Sequence, residues 1–111
     1  MLKKRSNCPL SCWLEIFGDK WTLLIIRDIA FRGKKQYKEF ISSREGISTN
    51  ILADRLRLLV SNGVLIKTRS SSNKLVIHYE LTEKGKSLAP ILLSIAKWGN
   101  DHIPDTMIIG A

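Results

Sequence analysis

The chain has 111 residues, 44% hydrophobic and 25% charged, which suits one globular domain over 1–111. No run approaches the ~18–20 apolar residues of a membrane span, and the longest candidate, Trp21 to Ile26, has charged neighbours on both sides. The net charge is +8, and the titratable inventory is poor in metal ligands, with two cysteines, Cys8 and Cys12, separated by three residues, and two histidines, His78 and His102, at no ligand spacing.

Pro9 to Phe17 carries Leu10, Trp13, Leu14 and Phe17 at helical spacing, and Gly18 ends it. Asp19 is the expected N-cap of a second helix, Lys20 to about Phe31, with Trp21, Leu24, Ile25, Ile29 and Ala30 as its apolar set. Gly33 stops it. Lys34-Lys35-Gln36 is a polar connector. A short third helix runs from Tyr37 to about Ser43, with Tyr37, Phe40 and Ile41 facing inward, and Arg44-Glu45-Gly46 turns the chain.

Ser48 is the expected N-cap of the clearest helix, where Leu52, Leu56 and Leu59 recur at i, i+4 and i+7 before Asn62-Gly63 closes it. Two β-branched and aromatic runs, Val64 to Arg69 and Leu75 to Leu81, flank the polar Ser70 to Lys74 and predict a hairpin. Thr82 is the expected N-cap of a last helix over about 83–102, striped by Leu88, Ile91, Leu92, Ile95 and Trp98. Pro90 falls inside it and predicts a kink or a fresh start.

This order predicts a mostly helical fold with a small β-hairpin wing, a winged helix-turn-helix whose turn contains Gly46. The charge is concentrated in the same region. From Arg32 to Lys74 there are ten Lys/Arg and three acids, a net +7, against +2 before it and −1 after it. A basic centre between near-neutral flanks points to phosphate, hence to nucleic acid.

Stepping ~100° per residue from Leu56 puts Asn50, Ala53, Asp54, Arg57 and Ser61 on the outer face of the fourth helix, with Thr49 at its shoulder. Thr49 and Asn50, in the first turn, have the chemistry to read base edges: Asn pairs bidentately with adenine, and Thr can touch a thymine methyl. Arg57 suits phosphate or guanine. Ser48 lies where helix N–H groups face a phosphate. Arg55, at the flank, suits a phosphate or an intramolecular salt bridge equally. Lys34, Lys35, Gln36 and Tyr37 precede the helix expected to cross the backbone, and Arg69 and Lys74 bracket the wing tip.

Several segments together resemble the HxlR-type winged helix-turn-helix regulators of bacteria. They are Cys8-Pro9, Gly18 to Asp28, Gly46 to Leu56, Asn62 to Leu65, Tyr79 to Gly85, and Trp98. The resemblance implies a homodimer built by the N-terminal helix (about 9–17) and the last helix, binding a roughly palindromic operator on double-stranded DNA. Leu10, Trp13, Leu88, Ile91, Leu92, Ile95 and Trp98 are the interface candidates. It also implies that the cysteine of the Cys-Pro pair, here Cys8, can sense oxidants or electrophiles. Two departures stand out: Gln36-Tyr37 replaces the usual Arg-Phe, and the wing lacks the usual proline before its second strand.

From the residues themselves, Cys8 lies just before a helix and close to Lys3, Lys4 and Arg5, features that favour a thiolate. A small buried residue at a dimer seam is the competing reading. Cys12, one turn on, is a resolving thiol or simple packing. There is no Gly-rich phosphate loop, carboxylate pair or nucleophile with a base, so no enzyme, cofactor or metal is expected. The competing function is a winged-helix module for a protein or RNA partner. The basic start, Met1 to Arg5, is followed by no apolar segment and cleavage site of a secretion signal, so a cytoplasmic location is expected.

Overall fold

The structure is a computed structural model that describes residues 5–107. The expected ends of the domain, and Lys3 and Lys4 beside Cys8, lie outside the described residues. The elements in chain order are α1 (Pro9–Phe17), α2 (Thr22–Arg32), α3 (Tyr37–Ile41), α4 (Thr49–Ser61), β1 (Leu65–Arg69), β2 (Ile77–Leu81), α5 (Glu83–Lys86) and α6 (Ala89–His102).

Local chemistry sets most boundaries. Asp19 Oδ1 accepts the amides of Trp21 and Thr22 at 2.7 and 2.9 Å, so it closes the open end of α2. The helix therefore starts at Thr22 and not at Lys20. Glu39 reaches back to accept the Gln36 amide at 2.9 Å and opens α3. Ser48 Oγ accepts the Ile51 amide at 3.3 Å at the start of α4. Gly46, in the turn before it, has φ +73°, a backbone that other residues adopt at a cost.

The hairpin is antiparallel, with Leu65 opposite Leu81, Lys67 opposite Tyr79 and Arg69 opposite Ile77. Its second strand begins at Ile77, two residues later than expected, because Val76 turns back to donate to the Asn73 carbonyl at 3.0 Å. The Tyr79 amide donates to the Lys35 carbonyl at 2.8 Å, so the polar connector lies along β2 like a third strand of one residue.

The core gathers Phe17, Ile25, Ile26, Phe40, Ile47, Leu52, Leu56, Leu59, Val64, Leu65 and Leu88. Three leucines of α4 are thus buried in one stripe, which fixes its opposite face outward. Trp13 stacks on Phe17 at 4.8 Å between ring centroids and packs against this core.

One expectation is met and two need correction. The last helical stretch is two helices, the fresh start expected at Pro90. It breaks after Lys86, and α6 restarts at Ala89 with Pro90 in its first turn, where the missing N–H leaves no bond unmade. Leu88 sits in that break and drops into the core of the same chain, 7% exposed, so it is not available to a dimer interface. Tyr37, expected inward, stays at the surface because its hydroxyl donates to the Thr49 carbonyl at 2.7 Å.

Candidate nucleic-acid interface

The outer face of α4 is as its periodicity requires. Thr49, Asn50, Asp54, Arg57 and Ser61 are exposed and Ala53 is half-buried. Asn50 has no hydrogen-bond partner among the described side chains, and the Arg57 side chain is 75% exposed, its nearest acid being Asp54 at 3.9 Å. Ser48 is partly spent on capping, and the carbonyl of Thr49 holds Tyr37. The Tyr37 bond ties the first residue of α3 to the first turn of α4, so it helps fix how α4 lies against α3.

Two candidate cations are engaged internally, Lys34 against expectation and Arg55 in the salt bridge that was one of its two expected roles. Lys34 Nζ donates to Ser43 Oγ at 2.7 Å and lies 3.5 Å from Asp28. Arg55 pairs with Asp54, and its buried Nε lies 3.3 Å from Asp19 Oδ1 without making a hydrogen bond, so that contact is one of charge attraction. Burial opposes the charge on Asp19, but the Thr22 hydroxyl, two backbone amides and Arg55 outweigh it and lower its pKa.

By contrast, Lys35 is exposed and has no salt bridge among the described residues, as do Lys38, Arg44 and Lys67, which sequence reasoning did not single out. Gln36 is half-buried at the head of α3. At the wing, Arg69 Nη1 donates to the Lys74 carbonyl at 2.7 Å and braces the loop base, and the Lys74 ammonium makes no salt bridge among the described residues. Burial raises the pKa of the Tyr79 hydroxyl, with Tyr37 adding to the shift and Arg57 opposing it.

An unforeseen ion cluster fixes the turn before α4. Asp28, buried on α2, accepts Arg27 Nε and Nη2 at 3.0 and 2.9 Å and the Ser43 hydroxyl, with Arg32 at 3.6 Å. Arg27 also forks onto both oxygens of Glu45, at 2.8 and 2.9 Å. That hydrogen bonding pushes the Glu45 carboxyl down to about 2 from 4.5, and raises the pKa of Arg27 in turn. The sequence signal was an acid inside the apolar run Ile25-Ile26 to Ile29, which must be paired if buried.

Cys8 is exposed at the head of α1, and Cys12, one turn on, donates its thiol to the Ser6 carbonyl at 3.3 Å. Of the apolar stripe candidates, Leu10, Ile91, Ile95 and Trp98 are exposed, whereas Leu92 is half-buried against the core. No group of three or more metal-ligating side chains occurs among the described residues. None of their helices is long and apolar enough to cross a membrane.

This arrangement has known counterparts. The HxlR-like helix-turn-helix family model matches residues 16–107. The chain belongs to the HxlR-like family. The match begins after Cys8 and Cys12. One relative is Rv3095 of Mycobacterium tuberculosis, an HTH-type transcriptional regulator, 35% identical over 91 residues that make up 82% of this chain and 56% of the relative. The chain thus spans a little over half the length of the mycobacterial relatives it matches. Among solved structures it is similar to PA1607, with a TM-score of 0.84 and 41% identity over 96% of this chain and 74% of that one. It is also similar to the redox regulator HypR in its oxidized form, with a TM-score of 0.75 and 27% identity over 91% of this chain and all of that one. HxlR-like membership places the chain in a family of HTH-type transcriptional regulators, and the shared fold is the winged helix-turn-helix that its periodicity predicted.

Proposed function

We propose that the chain is a sequence-specific regulator that binds double-stranded operator DNA as a homodimer, with α4 in the major groove. The observation that carries this reading is the outer face of α4. Thr49, Asn50 and Arg57 are exposed there; among the described residues Asn50 has no side-chain partner and Arg57 only Asp54, at 3.9 Å. Lys35, Gln36, Ser48, Arg69 and Lys74 supply the flanking contacts, with Lys38, Arg44 and Lys67 as further cations for phosphate. Tyr37 positions α4 through Thr49, and Lys34 and Arg55 act on the fold. The dimer is supported by the apolar stripe of Leu10, Ile91, Ile95 and Trp98, each at least 45% exposed in the single chain. A two-fold dimer would meet a roughly palindromic operator.

The test is a gel shift on the upstream DNA of its own gene over a salt series. Affinity falls steeply with salt as phosphates are neutralised. Asn50→Ala, which removes no intramolecular bond, loses roughly 5–150-fold for the operator, about 1–3 kcal/mol, and little for random duplex. A shift that ignores salt, or none on any duplex, overturns the reading and favours a protein or RNA partner.

Redox sensing through Cys8 is the finer part of the proposal. It is supported by the exposed thiol at the head of α1 and by the likeness to the redox regulator HypR. Diamide changes operator affinity in the native chain. An equal change in Cys8→Ser removes Cys8 from the mechanism.

A further inference from the structure

The short α5 is the joint between the reading helix and the last helix. Three consecutive carbonyls follow the end of α4, and this joint takes all of them. Lys84 Nζ donates to the Asn62 carbonyl at 2.8 Å, the Thr82 hydroxyl to that of Gly63 at 2.6 Å, and the Thr82 amide to that of Val64 at 3.1 Å. The same hydroxyl accepts the Gly85 amide at 3.1 Å and caps α5. Gly85 is buried, and its backbone comes so close that a Cβ there would stand 2.2 Å from the Val64 oxygen.

Leu88 then enters the core, and its carbonyl accepts the Leu92 amide at 2.9 Å, so α6 grows directly out of the joint. The two helices it connects are anchored unequally. Buried Leu52, Leu56 and Leu59 fix α4, whereas α6 buries no residue and lays Leu92 half-buried against the core. The direction of α6 relative to α4 therefore depends on residues 82–88.

We propose that this joint sets the spacing of the two operator half-sites, with Thr82, Lys84 and Gly85 as positioning residues that act without touching DNA. The proposal rests on the dimeric, DNA-binding reading given above, in which α6 carries Ile91, Ile95 and Trp98 of the apolar stripe. The lever is short and its output is large. A Cβ at Gly85 has to retreat by about 1 Å to reach ordinary contact, which over the ~5–6 Å between residues three apart is a tilt of roughly 10°. With α6 held by its partner, the tilt passes to the two reading helices in opposite directions. For half-sites one DNA turn apart, each reading helix stands about 17 Å from the two-fold axis. A tilt of roughly 10° carries it about 3 Å, close to the ~3.4 Å of one base-pair step.

The test is selection of bound duplexes by the purified full chain, from a pool in which the spacer between the half-sites varies by up to two base pairs. The native chain enriches one spacer about tenfold over its neighbours. Gly85→Ala moves the preferred spacer by one base pair. Thr82→Val/Lys84→Met, which releases the grip without adding bulk, flattens the preference to within about twofold and leaves binding to a lone half-site unchanged. Thr82→Ser/Lys84→Arg keeps the native preference, as does Lys86→Met, whose ammonium reaches only Glu83. Thermal melts establish that each variant is folded. Thr82→Val/Lys84→Met removes no core side chain, so it decides the matter even if Gly85→Ala does not fold. A sharp native preference that this double variant retains overturns the proposal. So does equal weakening of every spacer and of the lone half-site, which would make the joint merely structural. A folded Gly85→Ala with an unmoved optimum, or native binding indifferent to spacer, overturns it too and leaves DNA recognition standing. A native chain that shifts no duplex sinks the regulator reading, and this proposal with it.

Discussion

The Arg27–Glu45 pair should be measurable as a coupling energy. Arg27→Met and Glu45→Gln, made singly and together, remove one or both ends of the clamp. The pair is bidentate, at 2.8 and 2.9 Å, with the Arg27 side chain 19% and the Glu45 side chain 36% exposed. Exposed pairs are worth ~0.2–1 kcal/mol, and solvent reaching Glu45 keeps this one within that range. The fork geometry places it near the top, so a coupling of about 1 kcal/mol is expected. The single variants should differ. Glu45→Gln forfeits only that pair. Arg27→Met also strips two hydrogen bonds from buried Asp28, leaving it Ser43 with Lys34 at 3.5 Å and Arg32 at 3.6 Å. A buried charge stripped of its partner costs ~3–5 kcal/mol, and the remaining partners should hold the loss to ~2 kcal/mol. Urea unfolding followed by tryptophan fluorescence, at one fixed protein concentration, gives all three free energies. Coupling within about 0.3 kcal/mol of zero, or Arg27→Met costing no more than Glu45→Gln, would refute the clamp.

The same pair has a pH signature. Its carboxyl titrates at about 2 in the folded chain against 4.5 ordinarily, so its stabilisation is complete above 4.5 and is lost as pH falls from there toward 2. Urea midpoints across that window should fall less in Glu45→Gln than in the native chain; parallel curves would contradict the assignment. Leu56→Ala, at a position 2% exposed beneath the reading face, should cost ~2–5 kcal/mol by cavity formation, and a loss under 1 kcal/mol by calorimetry would mean that α4 is not anchored there. Gly85→Ala should destabilise more than Gly33→Ala. A Cβ at Gly85 meets the Val64 carbonyl, whereas Gly33, at φ +64°, has open space around it, and its substitution should cost only ~1 kcal/mol of backbone strain. The reverse order in thermal melts would overturn the packing of α5 against the end of α4.

Much of the candidate interface was legible in the residues. Leu52, Leu56 and Leu59 are local facts, and once they are buried Asn50 and Arg57 can only point away. The caps were legible for the same reason, since Asp19, Ser48 and Thr82 act within three residues of themselves. What was hidden is which cations are free. Lys34 and Lys35 are neighbours of identical chemistry, yet one is spent on Asp28 and Ser43 and the other is not. Arg55 is spent on Asp19, far up the chain. No local pattern announces such pairings, because they depend on how α2 lies against α3 and α4.

The sequence by itself therefore determined the elements, their order and the outward face of the reading helix, because helical period, caps and turn glycines act over a few residues. Only the tertiary structure decided that Leu88 belongs to the core and that Arg27 holds the turn before α4. It alone decided that Thr82 and Lys84 grip the end of α4. Each of these is a contact between segments distant in sequence, and its existence depends on packing that no single stretch of the chain encodes.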